Sequence, residues 1–239
     1  MTPLAAVLAC AIVALGAVVQ GAVGFGLGML GAPLLLLIDP RLVPGPLLLA
    51  AGVLIVLLTH REWRDIRFAD LAWSVPGRIV GTAAAVVFLG VIPPDRLAVA
   101  LGIMVLLAVG VSASGVEVPL SPHTFLGAGA ISGFFATTTA IGGPPIALLY
   151  QRERGPVVRG TLSAFFVFGV VVSLVGLAVV GRFGVEQIRL SLILIPGALV
   201  GFALSGRLAP LLDRGWMRPA ILAASAVAGA IVVVRQLLG

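Results

Sequence analysis

The sequence predicts an all-α integral membrane protein, and three observations support that prediction. The chain of 239 residues is 60% hydrophobic and only 10% charged, with a mean hydropathy of +1.22. No charged residue occurs between Met1 and Ile38, and this run is far longer than the roughly 20 apolar residues that one crossing helix needs. Further apolar runs follow with only short polar loops between them, which leaves no room for a separate soluble domain.

Two glycine-rich stretches resemble each other and predict that the chain consists of two homologous repeats. The stretch Gly16–Arg41 reads GAVVQGAVGFGLGMLGAPLLLLIDPR, and the stretch Gly127–Arg152 reads GAGAISGFFATTTAIGGPPIALLYQR. A shift of 111 residues superposes the two stretches and places Gly31 on Gly142. We therefore expect one integral unit that arose by duplication, with the polar stretch GVEVPLSPH between the two copies.

Each repeat, residues 1–116 and residues 117–239, is predicted to hold four to five helical segments in the same order. The segments of the first repeat are Leu4–Gln20, Ala22–Ile38, Leu42–Thr59, Leu71–Ile92 and Leu97–Ser112. The segments of the second repeat are Thr124–Phe135, Thr138–Tyr150, Gly160–Val180, Ile188–Ser205 and Pro219–Val234. The fourth segments also match each other, because both contain the pattern Pro-Gly-x-x-x-Gly, which begins at Pro76 and at Pro196.

The first two segments of each repeat are predicted to form a broken helix. As one helix, residues 4–38 would be about 52 Å long, which is too long for one straight crossing. Glycines in a helix interior cost roughly 0.5–1 kcal/mol each relative to alanine. The five in the middle of this segment are Gly21, Gly24, Gly26, Gly28 and Gly31. We expect two short helices that meet at a bend, either as a re-entrant hairpin or as two thin spans.

The distribution of arginines favours inverted repeats. All 15 basic residues are arginine, and the net charge is +6. If each repeat crosses the membrane an odd number of times, nine arginines share one side and five the other, so the positive-inside rule places both termini outside. The nine are Arg61, Arg64, Arg67, Arg152, Arg154, Arg159, Arg207, Arg214 and Arg218. These loop arginines account for the basic charge, and we expect no nucleic-acid partner.

The paired breaks predict an anion site near the middle of the membrane. Irregular backbone at that depth must line a cavity or be buried in protein, and the N-termini of short helices attract anions. The predicted substrate-binding residues are Gln20, Gly26, Gly28, Gly31, Arg78, Ser132, Thr137, Thr138, Thr139, Gly142 and Gly143. The predicted helix-breaking or hinge residues are Gly21, Gly24, Pro33, Pro144 and Pro145. The alternative is close helix packing, because Gly24-x-x-x-Gly28 and Gly129-x-x-x-Gly133 have the spacing of helix contacts.

Arg78 is a charged residue inside an apolar segment. A charge at membrane depth costs roughly 2.5–3.5 kcal/mol on insertion scales. The matching position of the other Pro-Gly-x-x-x-Gly pattern is Ala198, so the duplicated scaffold does not require the charge. Arg78 therefore either faces the cavity and pairs with an anion or extends along the helix to the nearer interface.

Other chemistry has little support in the sequence. The chain has no His-Glu-x-x-His, no Gly-x-Ser-x-Gly and no phosphate-binding loop, and no carboxylate lies deep in an apolar segment. We therefore expect neither an enzyme nor an ATP-driven pump, and no metal or cofactor. Arg159 is a candidate for the cavity mouth, with an ordinary loop role as the alternative. The same alternative applies to Arg207, His60 and His123.

The two glycine-rich signatures resemble those of the TauE/SafE sulfite exporter family. The likeness extends to the loop QRERGPVVRGT and to the paired Pro-Gly-x-x-x-Gly segments, and it covers essentially the whole chain. The most specific element is Ile141-Gly142-Gly143-Pro144-Pro145. The resemblance implies a multi-pass permease of the bacterial inner membrane that moves sulfite, organosulfonates or related sulfur-containing anions.

From the residues themselves we predict an alternating-access transporter whose partners are a small anion and the lipid bilayer, with a homodimer left open. Two alternatives remain. In a passive anion channel the glycine bends would form a pore constriction. In a membrane scaffold they would only pack helices.

Overall fold

The protein is an all-helical bundle. The computed structural model describes residues 1–93, 96–116, 118–151, 153–212 and 217–238, and those residues contain no strand. The α-helices are α1 Pro3–Val23, α2 Leu27–Ile38, α3 Gly45–Arg61, α4 Phe68–Val91, α5 Leu97–Ala113, α6 Pro122–Thr139, α7 Gly143–Ala147, α8 Gly155–Val179, α9 Val185–Leu212 and α10 Met217–Leu238. Arg152 and Arg214, two of the arginines counted for topology, lie outside the described residues. The prediction of an all-α fold is confirmed.

Within the described ranges, four helices are long and apolar enough to cross a membrane. These spans are Pro3–Val23, Phe68–Val91, Gly155–Val179 and Val185–Leu208. Shorter apolar helices accompany them. They are α2, α3, part of α5 and, after the last span, part of α10. The chain therefore has the helices of a multi-pass membrane protein.

Local capping explains where the first helix of each half begins. The Thr2 hydroxyl accepts a hydrogen bond from the amide of Ala5 at 3.3 Å, and α1 continues from Pro3. Ser121 and Thr124 form a reciprocal capping box at the start of α6. Proline is suited to the first helical turn because it has no N–H group to leave unsatisfied.

The two Pro-Gly-x-x-x-Gly motifs pack helices of different halves against each other. Gly77 and Gly81 of α4 lie directly on the backbone of α6, so a Cβ atom at Gly81 would collide with the carbonyl of Ala130. Gly197 of α9 meets the carbonyl of Cys10 in α1 in the same way. The small residues thus allow two helix pairs, α4 with α6 and α1 with α9, to approach at backbone distance.

Both of these helix pairs run parallel. Gly197 lies against Cys10 and Gly201 against Ala14, so α1 and α9 advance together. Gly129 and Gly133 of α6 lie against the backbone of α4, which is the close packing that their spacing allowed. Helices α3 and α8 pack against each other, and α5 packs against α10.

The first two helices form a hairpin. Gly24 has φ +98° and Gly26 has φ +139°, two conformations that glycine adopts far more easily than other residues. The chain reverses between them, and α2 returns along α1 so that Gly16 faces Leu27. With 12 residues, α2 is about 18 Å long, which is too short for a separate crossing of a core about 30 Å thick. The length of α2 therefore favours the hairpin over two thin spans for this pair.

The second break lies at Ala140–Gly142, between α6 and α7. The chain folds back there as well, so that Gly142 lies against Ser132 of α6, and we call α6 and α7 the second hairpin. Gly24 and Ala140, the left-handed residues that end the first helix of each pair, are 116 positions apart rather than 111. The shift of 111 residues placed Gly31 on Gly142, but Gly31 lies inside α2 whereas Gly142 precedes α7. The predicted alignment of the two repeats is thus wrong at the breaks. In the first repeat α2 continues through Gly31 and Pro33, whereas in the second repeat the matching Gly-Gly-Pro-Pro sequence starts a new helix.

Ala140 is strained, and we expect Ala140→Gly to stabilise the protein. Ala140 has φ +63°, and a residue with a Cβ atom loses roughly 1–2 kcal/mol in this region, which exceeds the entropy that glycine adds to the unfolded chain. The midpoint of thermal unfolding in detergent should rise by about 2–4 °C per kcal/mol gained. Ala84→Gly, at an exposed position inside α4, is the control and should lower it. Equal shifts in both variants would contradict this explanation.

Candidate functional site

The two breaks meet in the interior of the bundle. Gly28, in the first turn of α2, lies directly on the carbonyl of Ala140, so a Cβ atom there would collide with it. Gly143, at the start of α7, lies against Phe25, and a Cβ atom there would lie 2.6 Å from the Phe25 Cβ atom. The break of each hairpin therefore contacts the break of the other.

A cavity of about 40 Å³, lined mostly by buried residues, lies between the two breaks. It exceeds the roughly 10–15 Å³ that one water molecule occupies. Six of the predicted substrate-binding residues line it: Gln20, Gly26, Gly28, Arg78, Gly142 and Gly143. Apolar side chains of α3 and α8 complete the wall, including Ala51, Ile55, Phe166 and Val170. The cavity thus has a small polar part within an apolar surround.

Arg78 supplies the charge of this cavity. Its side chain is 1% exposed, and the guanidinium lies 5.6 Å from the ring centroid of Phe165. Nη1 donates to the carbonyl and hydroxyl oxygens of Ser132 at 3.2 and 3.1 Å, and Nη2 donates to the Ser173 hydroxyl at 3.2 Å. Nε has no hydrogen-bond partner, and within the described ranges no carboxylate forms an ion pair with Arg78. The cation is therefore solvated only by neutral groups.

Two glycines make room for the guanidinium. A Cβ atom at Gly169 would lie 2.6 Å from Cζ of Arg78, and one at Gly142 would lie 2.9 Å from Nη1. The head group therefore occupies space that any other residue at these two positions would fill. It is held inside the protein and does not extend to an interface.

Ser132 links the cation to the second break. Its hydroxyl donates to the carbonyl of Gly142 at 2.5 Å and accepts from Nη1 of Arg78 at 3.1 Å. Thr137 lies behind the cation, where its hydroxyl contacts those of Ser173 at 2.8 Å and Thr82 at 3.2 Å. Neither Ser132 nor Thr137 lines the cavity itself. Both belong to the polar network that positions the arginine.

The N-terminus of α2 faces the cavity, and Gln20 caps part of it. The Gln20 side-chain oxygen accepts a hydrogen bond from the amide of Leu27 at 3.2 Å. The next amides, those of Gly28 and Met29, have no acceptor within their own helix because the first-turn N–H groups of a helix never do. Both residues line the cavity, so α2 directs its positive end at it.

Helix α7 contributes much less than its counterpart. It is 5 residues long, and Pro144 and Pro145 carry no N–H group. The two breaks therefore do not present two similar helix N-termini to the cavity. The helical N-terminus of the site comes from α2, and Arg78 of α4 brings the full positive charge.

The comparison with protein families shows which family the chain belongs to. The family model for the sulfite exporter TauE/SafE matches residues 8–232 of the 239 residues. The chain belongs to the TauE/SafE family. Membership identifies it as a multi-pass membrane protein of a family of transporters for sulfur-containing anions, which are not enzymes. No curated protein and no solved structure matches the chain.

Several predicted residues of this TauE/SafE protein lie away from the cavity wall. The Thr138 and Thr139 hydroxyls donate to carbonyls of their own helix, both reaching Phe135, because α6 continues through them instead of ending before them. Gly31 lies inside α2 and packs on Leu47 of α3. The remaining hinge candidates are distributed over both hairpins: Gly21 in α1, Gly24 at its end, Pro33 inside α2, and Pro144 and Pro145 at the start of α7.

A larger cavity of about 390 Å³, which we call the vestibule, leads from the loops toward the breaks. Its wall is mainly apolar, and the charged residues that line it in the described part of the chain are Glu153 and Arg159. Glu153 pairs with Arg67 at 2.6 Å, and hydrogen bonding to this carboxylate raises the pKa of Arg67. Arg159 of the TauE/SafE protein thus lines the vestibule, and its guanidinium donates to the Glu62 carboxylate and to the carbonyl of Ala22.

Sequence reasoning missed the residues that hold the end of α1. Arg61 donates to the carbonyl of Gly21 at 2.6 Å, and Arg159 donates to the carbonyl of Ala22 at 3.3 Å. Glu62 joins them, because its carboxylate accepts from both arginines, at 3.2 and 3.0 Å. The unpaired carbonyls at a helix C-terminus require donors, so the signal was present, but its partners are distant in sequence.

Proposed function

We propose that this TauE/SafE protein is a permease of the bacterial inner membrane for sulfite, an organosulfonate or a related small sulfur-containing anion. The observation that supports it is Arg78, a buried cation without a carboxylate partner in the described part of the chain, on the wall of an interior cavity. A buried charge is costly unless it is paired. A bound anion would supply the missing negative charge.

The anion would lie between Arg78 and the start of α2. Its oxygen atoms would accept hydrogen bonds from the guanidinium and from the amides of Gly28 and Met29, all of which line the cavity. Charge-assisted hydrogen bonds of this kind are about twice as strong as neutral ones. The cavity volume of about 40 Å³ restricts the bound part to a small head group.

Movement of two inverted repeats, residues 1–116 and 117–239, would provide alternating access. The contacts of α1 support this arrangement, because its end lies near Arg61 at the end of α3 and near Arg159 at the start of α8. Tyr150, which donates to Asp70 near the start of α4, packs on Phe125 near the start of α6. Helices α1 and α6, the first of each repeat, would thus run in opposite directions.

The loops and helix ends at this end of the bundle carry Arg61, Arg64, Arg67, Arg154 and Arg159. By the positive-inside rule this end would face the cytoplasm. The vestibule, which Arg159 lines, would then open inward, and both termini would lie outside.

The first test is ligand-induced stabilisation of the purified protein. We expect sulfite or a short alkyl sulfonate to raise the midpoint of thermal unfolding in detergent, whereas acetate and chloride at equal ionic strength serve as controls. A ligand at 100 times its Kd stabilises the folded form by about 2.7 kcal/mol. If no anion of the panel shifts the midpoint, the scaffold alternative is favoured and the proposal fails.

Counterflow in proteoliposomes separates a transporter from a channel. Unlabelled substrate inside the vesicles should drive uptake of labelled substrate from the outside. The rate of this uptake should saturate as the substrate concentration rises. Flux without saturation or counterflow would contradict alternating access and favour the passive channel.

A further inference from the structure

We propose that Phe25 is the barrier between the vestibule and the anion cavity, and that its ring limits the size of the anion that passes. The part concerning transport rests on the proposed function. The part concerning the barrier rests only on the arrangement of the two cavities.

The two cavities share very few residues. Among the residues that the structure describes, only Phe25, Gly26 and Met29 line both of them. Gly26 has no side chain, so Phe25 and Met29 separate the vestibule from the cavity that holds Arg78. Of these two, Phe25 lies on the break itself, between α1 and α2.

The ring of Phe25 rests on the other hairpin. A Cβ atom at Gly143 would lie 3.0 Å from Cδ2 and 3.1 Å from Cγ of Phe25, so the ring covers the bare backbone at the start of α7. The aromatic side chain thus extends from the first break to the second. Its removal would leave a gap where the two hairpins now touch.

The backbone on both sides of Phe25 is formed by glycines. Gly24 and Gly26 both have positive φ values, +98° and +139°, which larger residues rarely adopt. The chain before them is fixed, because Arg61 and Arg159 hold the carbonyls of Gly21 and Ala22. Rotation about the two glycines would move Phe25 without moving α1.

The second hairpin has no such residue. Ile141 stands between Ala140 and Gly142 as Phe25 stands between Gly24 and Gly26, 116 positions later. Ile141 is 1% exposed and lines the anion cavity but not the vestibule. The two breaks therefore differ, and the barrier on the vestibule side is a single aromatic ring beside a methionine.

Cysteine accessibility tests the barrier without requiring transport. The native Cys10 is replaced by serine, and Ala51→Cys places one thiol on the wall of the anion cavity, where Ala51 is 8% exposed. A negatively charged methanethiosulfonate reagent is added from the vestibule side. We expect its reaction rate to increase in the order Phe25→Trp, native Phe25, Phe25→Leu, Phe25→Ala, with the alanine variant faster than native by about tenfold, the factor of a barrier lowered by about 1.4 kcal/mol.

Ile141→Val is the matched control. It enlarges the anion cavity from the other break, and the reaction rate should remain that of the native ring. Equal rates across the Phe25 series would overturn the barrier, as would an increase in Ile141→Val as large as in Phe25→Ala. If the alanine variant fails to elute as a single species, the tryptophan and leucine variants still decide the order.

Flux measurements then test the size limit. Phe25→Ala should raise the flux of a bulky aromatic sulfonate relative to sulfite, whereas Phe25→Trp should lower it. An unchanged ratio would remove the role in selectivity. If the accessibility series is graded but no variant transports any anion, the barrier stands and the proposed function fails. If the protein transports anions but the reaction rate is equal across the Phe25 series, the proposed function stands and the barrier fails.

Discussion

Replacing Arg78 with methionine is expected to abolish the stabilisation by anions and their transport, while the protein remains folded. The guanidinium carries the positive charge on the cavity wall and would form a charge pair with the bound anion. Removing one partner of a buried charge pair costs about 2–5 kcal/mol. The Kd for the anion should therefore rise at least about thirtyfold. Methionine has a similar length and removes a buried cation without a carboxylate partner, so the unfolding midpoint without ligand should be unchanged or higher. Ligand titrations by thermal unfolding measure both effects.

Three variants serve as controls for Arg78→Met. Arg78→Lys retains the charge but loses the planar fork, and should bind anions more weakly than native without losing binding. Arg182→Gln removes a cation that donates to the carbonyls of Leu89 and Ile92, away from the cavity. Thr138→Val removes a hydroxyl that bonds only its own helix. Native anion affinity in Arg78→Met would contradict the assigned role of the arginine.

Gly81→Ala should cause a large loss of stability. The new Cβ atom would collide with the backbone carbonyl of Ala130. That carbonyl belongs to α6, so the collision can be relieved only by separating α4 from α6. Overpacking of this kind typically costs about 1–3 kcal/mol and occasionally more, which predicts a midpoint lower by roughly 2–12 °C.

Gly110→Ala is the matched substitution for Gly81→Ala. Gly110 is also helical, but an added Cβ atom would meet nothing within 4 Å, so alanine should stabilise α5 by about 0.5–1 kcal/mol. Similar midpoints for the two variants would show that the contact between α4 and α6 is looser than described.

Much of the architecture could be predicted from the sequence because its signals are local. Apolar runs locate helices, and the glycines around Gly24 and Gly26 locate the first break. Arg78 stood out because a charge in an apolar segment needs a reason. Six of the predicted residues line one cavity.

The remaining features depend on contacts that sequence spacing does not encode. The shift of 111 residues aligned Gly31 with Gly142 because both are glycines. In the structure, however, Gly31 lies inside α2 and Gly142 precedes α7. Thr138 and Thr139 resembled binding groups, but their hydroxyls bond to the helix they extend. The capping of α1 by Arg61 needed the tertiary structure, since its acceptor lies 40 residues earlier.

The exchange of partners between the two halves has a consequence for biosynthesis. Helix α1 is made first, but α9, on which it packs through Gly197 and Gly201, is nearly the last to be made. Until then its small-residue face has only lipid or other early helices to contact. Contacts between such distant segments form late and slowly. The nascent chain must therefore stay incompletely assembled in the bilayer through most of translation. A truncation before α9 would leave α1 without the helix on which it packs.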